Sequence, residues 1–374
     1  MKTVCLYNIG VGNTDLLAKK MAFWQSQGLK VKMVCPEYAV PAFKELIYDI
    51  EYIKIPFCLP VSNKFVLIFE LLKRSLVACF FIPEIAKADT LYSISSVLDE
   101  LLLPFFIKIF DEKIAWVTLF ENEVTLKRPG NIFVRILART FYRISLLLLK
   151  KADRIFAVTE DLKAVLIRTG IPERKIVVTG NAVDRTEIEK AVSQREPRFD
   201  GLFLGRIEET KGVFDLIEIC RRIAKEYPDF KLGIAGTGDV KTEKKLKKMV
   251  KDFGLEKNIE FLDYVSGPQK FKLLANSRIF LFPSLDESFG VALLEAVCSG
   301  IKTIAYDLPA YKNIYLNNEL MTVPIGNIER FAEKVIDLLN MKNFANPGGL
   351  KLLASEKYSY ERIARLESDN FKKV

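Results

Sequence analysis

The chain has 374 residues, 50% of them hydrophobic, with a formal net charge of +9 and a pI near 9.0. That length suits two domains, and the charge favours anionic partners such as a nucleotide diphosphate or an acidic membrane surface. No His is present, which excludes a Ser-His-Asp triad, a His general base and any His-ligated metal.

Other classes fall away on pattern. Zinc-finger spacing and RNA-binding signatures are missing, so nucleic acid is not an expected partner. Cys5, Cys35, Cys58, Cys79, Cys220 and Cys298 form no C-x-x-C pair and read as reduced thiols of a cytosolic protein. No dense Asp/Glu cluster suggests a metal site, so none is expected, and no cofactor. The N-terminus lacks the apolar region of a signal peptide. The apolar run Phe65 to Ile82 carries Glu70, Lys73 and Arg74, too short and charged to span a bilayer.

In chain order, Thr3 to Tyr7 reads as a strand, followed by a turn with Gly10 and Gly12, a helix to about Gln27, and a strand from Val31 to Cys35. Gly10-x-Gly12 lacks the third glycine of a dinucleotide fingerprint, which argues against a dehydrogenase. Helices follow at Lys64–Ala86, Val97–Phe110 and Asn131–Lys151. Strands follow at Thr90–Ile94, Ile114–Leu119, Arg154–Val158 and Lys175–Val178. Thr159-Glu160-Asp161 caps a helix to Arg168. Strands alternating with helices imply parallel sheets covered on both faces.

Arg135, Arg139 and Arg143 recur every four residues, with Lys127 and Arg128 before them and Lys150 and Lys151 after. The other face carries Ile132, Phe133, Ile136, Leu137, Phe141 and Ile144. The expectation is an amphipathic helix with a solvated arginine face, suited to docking on anionic lipid. The polar segment Arg185 to Arg198, with Pro197, reads as an interdomain linker.

A second unit begins with a strand at Gly201–Leu204, then Gly205, Arg206, Lys211 and Gly212, and a helix to Glu226. A guanidinium and an ammonium placed after a strand can grip both phosphates of a diphosphate. The strand Lys231–Ala235 closes on Gly236-Thr237-Gly238-Asp239, and lysines between Lys241 and Lys251 read as a solvated helix face. Ile259 to Val265 reads as a strand, and Ile279 to Phe282 as another, ended by Pro283.

Next comes Asp286 to Gly300, DESFGVALLEAVCSG. Val291 to Cys298 reads as a helix stopped by Gly300. Ser288, Phe289 and Gly290 sit at its start, where free N–H groups and the dipole suit a phosphate. Glu287 precedes the helix and Glu295 lies within it. Lys302–Ala305 and Met321–Val323 continue the sheet, Asn327–Asn340 is helical, and a last helix starts near Tyr358.

Glu287, seven residues, then Glu295, with Phe289-Gly290 between, resembles the E-x7-E motif of retaining GT-B glycosyltransferases, most closely glycosyltransferase family 4. The segment Gly205 to Gly212 resembles that family's G-R-x4-K-G loop, Gly236 and Gly238 its glycine turn, and Asn181-Ala182-Val183-Asp184 its domain junction. The resemblance covers the chain from about Ala152 onward and is topological before that.

It implies two Rossmann-like parallel-sheet αβα domains facing a central cleft. They are an acceptor domain at 1–185, a donor domain at 186–357, and a helix at 358–374 crossing back to the first. It implies transfer of a hexose from a UDP- or GDP-sugar to a lipid-linked or saccharide acceptor with retention; the thiols and the arginine helix add the expectation of a cytoplasmic protein peripheral to the inner membrane face. Arg206 and Lys211 would hold the diphosphate, Glu287 the sugar and Glu295 the ribose. Gly205, Gly236, Gly238, Val265, Ser288, Phe289 and Gly290 would line the donor site. Gly10, Gly12, Phe120, Glu121 and Asn122 would line the cleft side of the first domain. Phe120 stands where the family commonly places a His, so it is either a loop residue of no special role, or the sugar contacts differ, or Glu121 or Asn122 substitutes. A non-catalytic partner of the same fold and a nucleotide-sugar epimerase are the alternatives.

Overall fold

A computed structural model describes residues 1–10, 14–47, 49–59, 64–124, 132–193, 196, 198–315, 320–341 and 356–374. Gly12, Lys127, Arg128 and Pro197 lie outside the described residues. The chain divides into two compact units: Met1–Ala182 together with Tyr360–Val374, and Val183–Ser359.

Unit 1 runs β1 (Thr3–Tyr7), α1 (Thr14–Ser26), β2 (Lys30–Pro36), α2 (Val40–Lys44), β3 (Glu51–Ile55), α3 (Lys64–Ala78), α4 (Ile82–Ile85), β4 (Thr90–Ser93), α5 (Leu98–Phe110), β5 (Ala115–Phe120), α6 (Ile132–Leu149), β6 (Arg154–Ala157), α7 (Glu160–Arg168) and β7 (Ile176–Val178). Its strands form one parallel sheet in the order β3-β2-β1-β4-β5-β6-β7. Side chains alternate across a strand, so β1 sends Val4 and Leu6 into one core and Cys5 and Tyr7 into the other. Both faces are therefore apolar, as a covered parallel sheet requires.

Unit 2 holds α8 (Arg185–Val192), β8 (Phe199–Leu204), α9 (Val213–Glu226), β9 (Leu232–Ala235), α10 (Val240–Asp252), β10 (Ile259–Phe261), α11 (Gly267–Ala275), β11 (Ser277–Phe282), α12 (Val291–Cys298), β12 (Lys302–Tyr306), β13 (Met321–Val323) and α13 (Ile328–Asn340). Its parallel sheet is ordered β10-β9-β8-β11-β12-β13. The last helix, α14 (Tyr360–Lys373), belongs to unit 1. There Trp24 Nε1 donates to the Ala364 carbonyl at 2.9 Å, and Phe371 is buried against Trp24, Tyr92 and Phe156.

Four expectations are corrected. The linker reading of Arg185 to Arg198 fails: Arg185–Val192 is a helix capped by Asp184, whose Oδ1 accepts from Glu187 N, and it buries Ile188 and Ala191. The helix expected over Lys64 to Ala86 breaks after Ala78 into a 3-10 turn, Cys79–Phe81, and a short helix with Pro83 in its first turn. A proline lacks the N–H that would continue the ladder. The strand expected over Ile259 to Val265 ends at Phe261, and Asp263 takes a φ of 52°.

The fourth concerns α6. Its inward face is Tyr142, Ser145, Leu146 and Leu149. Arg135 and Arg139 sit beside that face, half-buried. Arg139 donates to the Val124 carbonyl and lies over the Tyr142 ring at 5.1 Å. The apolar side chains of Phe133, Ile136, Leu137 and Ile144 point outward, with Arg143 among them.

Candidate active site

In unit 2 the neighbouring strands β8 and β11 lead away in opposite directions, β8 toward β9 and β11 toward β12. Such a switch point leaves a crevice at the carboxyl ends of the two strands, the ordinary place for a ligand in an open parallel sheet. The loops after β8 and β11 carry Arg206, Lys211 and Glu287.

Glycines let those loops meet. Gly205 N bonds the Ala235 carbonyl at 3.0 Å and Ile207 N the Thr237 carbonyl at 2.9 Å, which lays the loop after β8 against the one after β9. A Cβ on Gly236 would stand 1.8 Å from the Gly205 carbonyl oxygen, and one on Gly238 2.0 Å from that of Ile207. On the other side Gly212, at a φ of +65°, leaves room for the Pro283 carbonyl, which a Cβ would meet at 1.8 Å. Leu285 N bonds the Thr210 carbonyl at 2.8 Å. The loop after β8 is thus fastened on both flanks.

The result is a compact charged group. Lys211 Nζ contacts Glu287 Oε1 at 2.7 Å, and Ser284 Oγ donates to the same oxygen at 2.9 Å. Both charged side chains are largely buried, at 15% and 10% exposure. Arg206 is 73% exposed and pairs with Glu208 at 3.0 Å. Gly290, at a φ of 78°, starts α12. Phe289 is buried edge-on against Tyr358 at 5.4 Å, so only its backbone can serve a ligand. Ser288 and Gly205 are half-buried, and Val265, also half-buried, lies beyond the end of β10.

Glu295 is more enclosed than its helical position foretold. Its Oε1 is held by Lys270 Nζ at 2.6 Å, and burial pushes its carboxyl up while Lys270 opposes the rise. Lys270, Ser284 and Tyr311 carried no motif. The Tyr311 hydroxyl is buried without a hydrogen-bond partner, and its ring would stand 3.3 Å from a Cβ on Gly290. Burial, then the Glu287 and Asp286 charges, push that phenol up.

Unit 1 repeats the arrangement at its own switch point, between β1 and β4. Gly10 N donates to Glu100 Oε1 at 2.7 Å, tying the two loops together. Burial pushes Glu100 and its neighbour Asp99 up, and Arg74, bonded to the Ile9 carbonyl at 2.8 Å, supports the same loop. Phe120 does not face a ligand. It is fully buried, with its ring stacked on Tyr142 at 6.3 Å, because the end of β5 turns it into the core. Asn122 is exposed. Glu121 borders a cavity of about 70 Å³ shared with Lys20, Tyr92, Asn181 and Glu367, and burial pushes its carboxyl up to about 7 against the pull of Lys20. Among the described residues no group of three or more Cys, Asp or Glu could hold a metal ion.

Residues 184–347 match the family described as glycosyl transferases group 1. A phosphatidyl-myo-inositol mannosyltransferase from Mycobacterium leprae is 31% identical over 141 residues, 37% of this chain and 36% of that one. A poly(ribitol-phosphate) alpha-N-acetylglucosaminyltransferase from Staphylococcus aureus is 30% identical over 164 residues, 43% of this chain and 32% of that one. The chain therefore spans about a third of the length of these relatives. Among solved structures, sucrose-phosphate synthase from Thermosynechococcus elongatus superposes with a TM-score of 0.80 at 14% identity, covering 100% of this chain and 99% of that one. Anabaena HepE in complex with UDP and glucose gives 0.76 at 14% identity, covering 100% of both. The fold is GT-B.

Proposed function

We propose that this chain, whose residues 184–347 belong to the glycosyl transferases group 1 family, transfers a hexose from a nucleotide diphosphate sugar to a lipid-linked or saccharide acceptor with retention of configuration. The observation that carries this reading is the Lys211–Glu287 pair at the β8/β11 switch point, with Arg206 exposed beside it. Arg206 and Lys211 bind the donor diphosphate and stabilise it as it leaves. The backbone at Ser288 to Gly290, where α12 begins, adds donors for phosphate oxygens. Glu287 contacts the transferred sugar, and Glu295, released in part from Lys270, receives the ribose hydroxyls.

The acceptor hydroxyl oxygen bonds the anomeric carbon as the bond to the β-phosphate oxygen breaks. The hydroxyl proton passes to that leaving phosphate, so the step needs no enzymic nucleophile. The donor class proposed is a UDP- or a GDP-sugar. The test is incubation of the purified chain with both donor classes, scoring nucleotide release and the anomer of the product. Absence of nucleotide binding and of release with every donor overturns the reading. Binding without release, even with lipid and saccharide acceptors supplied, favours a non-catalytic partner of the same fold. Phe120, fully buried at the position where the resembled family commonly places a His, supports that alternative.

A further inference from the structure

We propose that unit 1 docks on an anionic lipid bilayer through the outer faces of α3, α5 and α6, its apolar side chains entering the headgroup region. Helix α5 packs against both α3 and α6, so the three lie side by side. Each turns apolar side chains outward at helical spacing: Phe69, Leu76 and Phe80 along α3 and the turn after it, Phe106 and Phe110 on α5, Phe133 on α6. Phe80, Phe110 and Phe133 are 82%, 87% and 78% exposed. Unit 2 offers no comparable face: its exposed large hydrophobics among the described residues are Val240, Tyr264, Ile325 and Met341. Adjacent helices that turn large apolar side chains outward on one unit are a place for a partner.

Charge identifies the partner. Helix α6 contains no Asp or Glu, and its Arg143 lies within the outward apolar face, while Arg135 and Arg139 sit half-buried beside the inward one. Lys150 and Lys151 at the end of α6 are exposed, and Lys73 on α3, 41% exposed, is paired with the buried Glu70 at 2.6 Å. A second copy meeting this face about a two-fold axis would set these cations against themselves. An anionic bilayer takes both features at once: hydrocarbon at the boundary for the rings, lipid phosphates for the cations. No helix among the described residues is long and apolar enough to cross a membrane, so the contact is interfacial. This inference goes beyond the sugar-transfer reading and does not rest on it.

The test is sedimentation with vesicles of phosphatidylcholine alone and with phosphatidylglycerol added. The whole chain should bind the phosphatidylglycerol vesicles roughly tenfold or more tightly than the neutral ones. A triple variant, Phe80→Gln, Phe110→Gln and Phe133→Gln, should lose about tenfold or more of that binding with an unchanged thermal midpoint, because the replaced rings are outside the core. Phe110→Gln alone should lose part of it, which keeps the test decisive if the triple variant folds poorly. Nucleotide binding should be the same in all forms. Vesicle binding unaltered by these variants, or no binding to either vesicle, overturns the proposal. So does a lipid-free dimer that the triple variant dissociates, which would assign the face to a second copy.

Discussion

Lys211 Nζ stands 2.7 Å from Glu287 Oε1, joining the loop after β8 to the loop after β11 across the switch point of the second sheet. The pair neutralises itself while no ligand is bound. An entering diphosphate would compete with Glu287 for the ammonium and leave the carboxylate to a sugar hydroxyl.

Arg206→Ala and Lys211→Ala should each lower turnover by on the order of 10²–10³, since charge grows on the diphosphate as the bond breaks. Their effects on stability should differ. Arg206 is 73% exposed, and its loss should change stability by no more than about 0.5 kcal/mol. Lys211→Ala strands a carboxylate that is only 10% exposed, so its thermal midpoint should fall clearly below that of Arg206→Ala. Steady-state kinetics with thermal unfolding of both variants decides. Intact turnover with weakened nucleotide affinity would remove both residues from the chemical step.

Transfer should persist in excess EDTA. Once Glu287 turns to the sugar, Lys211, with Arg206 and the start of α12, would supply the positive potential the diphosphate needs. Activity that vanishes on chelation and returns with one divalent ion would show that these cations are insufficient.

Gly212→Ala should disrupt the site, while Gly326→Ala should not. Both glycines have positive φ, 65° and 76°. A Cβ at Gly326 meets nothing within 4 Å, so its cost is the left-handed backbone alone, about 1–2 kcal/mol. At Gly212 the Cβ would lie 1.8 Å from the Pro283 carbonyl oxygen, which forces the β8 and β11 loops apart and with them Lys211 and Glu287. Nucleotide binding by the two variants, measured calorimetrically, should be weakened only by Gly212→Ala. Equal binding would mean that the loops yield without separating the pair.

Much of this was legible because the relevant signals are local. Strands β8, β9, β11 and β13 show as short apolar runs ended by glycine or proline, and Arg206, Lys211 and Glu287 follow β8 and β11 within one loop. The misreadings have physical causes. Helix α8 has a charged surface, and its signal, the Asp184 cap with Ile188 and Ala191 three residues apart, is faint beside that composition. In α6 the period of the apolar residues is plain, but period alone does not say which side faces the sheet. A small inward stripe of Tyr142, Ser145, Leu146 and Leu149 suffices there, leaving the more apolar face outside. Lys270 reaches Glu295 from another helix, α11, a contact that only tertiary structure creates.

Glu121 should make unit 1 less stable as pH rises. Burial pushes its carboxyl up to about 7, against an ordinary glutamate value of 4.5, by more than the Lys20 charge pulls it back. Between those two values the folded state holds a proton that the unfolded state has released. Stability therefore falls as pH climbs from about 4.5 to 7 and levels above. Glu121→Gln removes this contribution. The difference in thermal midpoint between variant and wild type should grow in favour of the variant over that window. A difference that stays constant with pH would show that Glu121 is solvated and titrates normally.

The last helix should be indispensable to unit 1. Phe371 is fully buried, with ring centroids 5.3 Å from Trp24, 5.2 Å from Tyr92 and 5.8 Å from Phe156. Removing that ring leaves a cavity among rigid aromatic neighbours that cannot collapse into it. Phe371→Ala should therefore cost about 3–5 kcal/mol in urea unfolding followed by tryptophan fluorescence, to which Trp24 contributes. Phe133→Ala, which removes a ring that is 78% exposed, should cost no more than about 0.5 kcal/mol. Deleting Tyr360–Val374 should be worse than Phe371→Ala. It also removes the Ala364 carbonyl that accepts from Trp24 Nε1 and the Glu367 carboxylate that holds Lys20 at 2.6 Å. A truncated chain that unfolds at the same urea concentration as the whole one would mean that α14 merely rests on unit 1 and contributes nothing to its core.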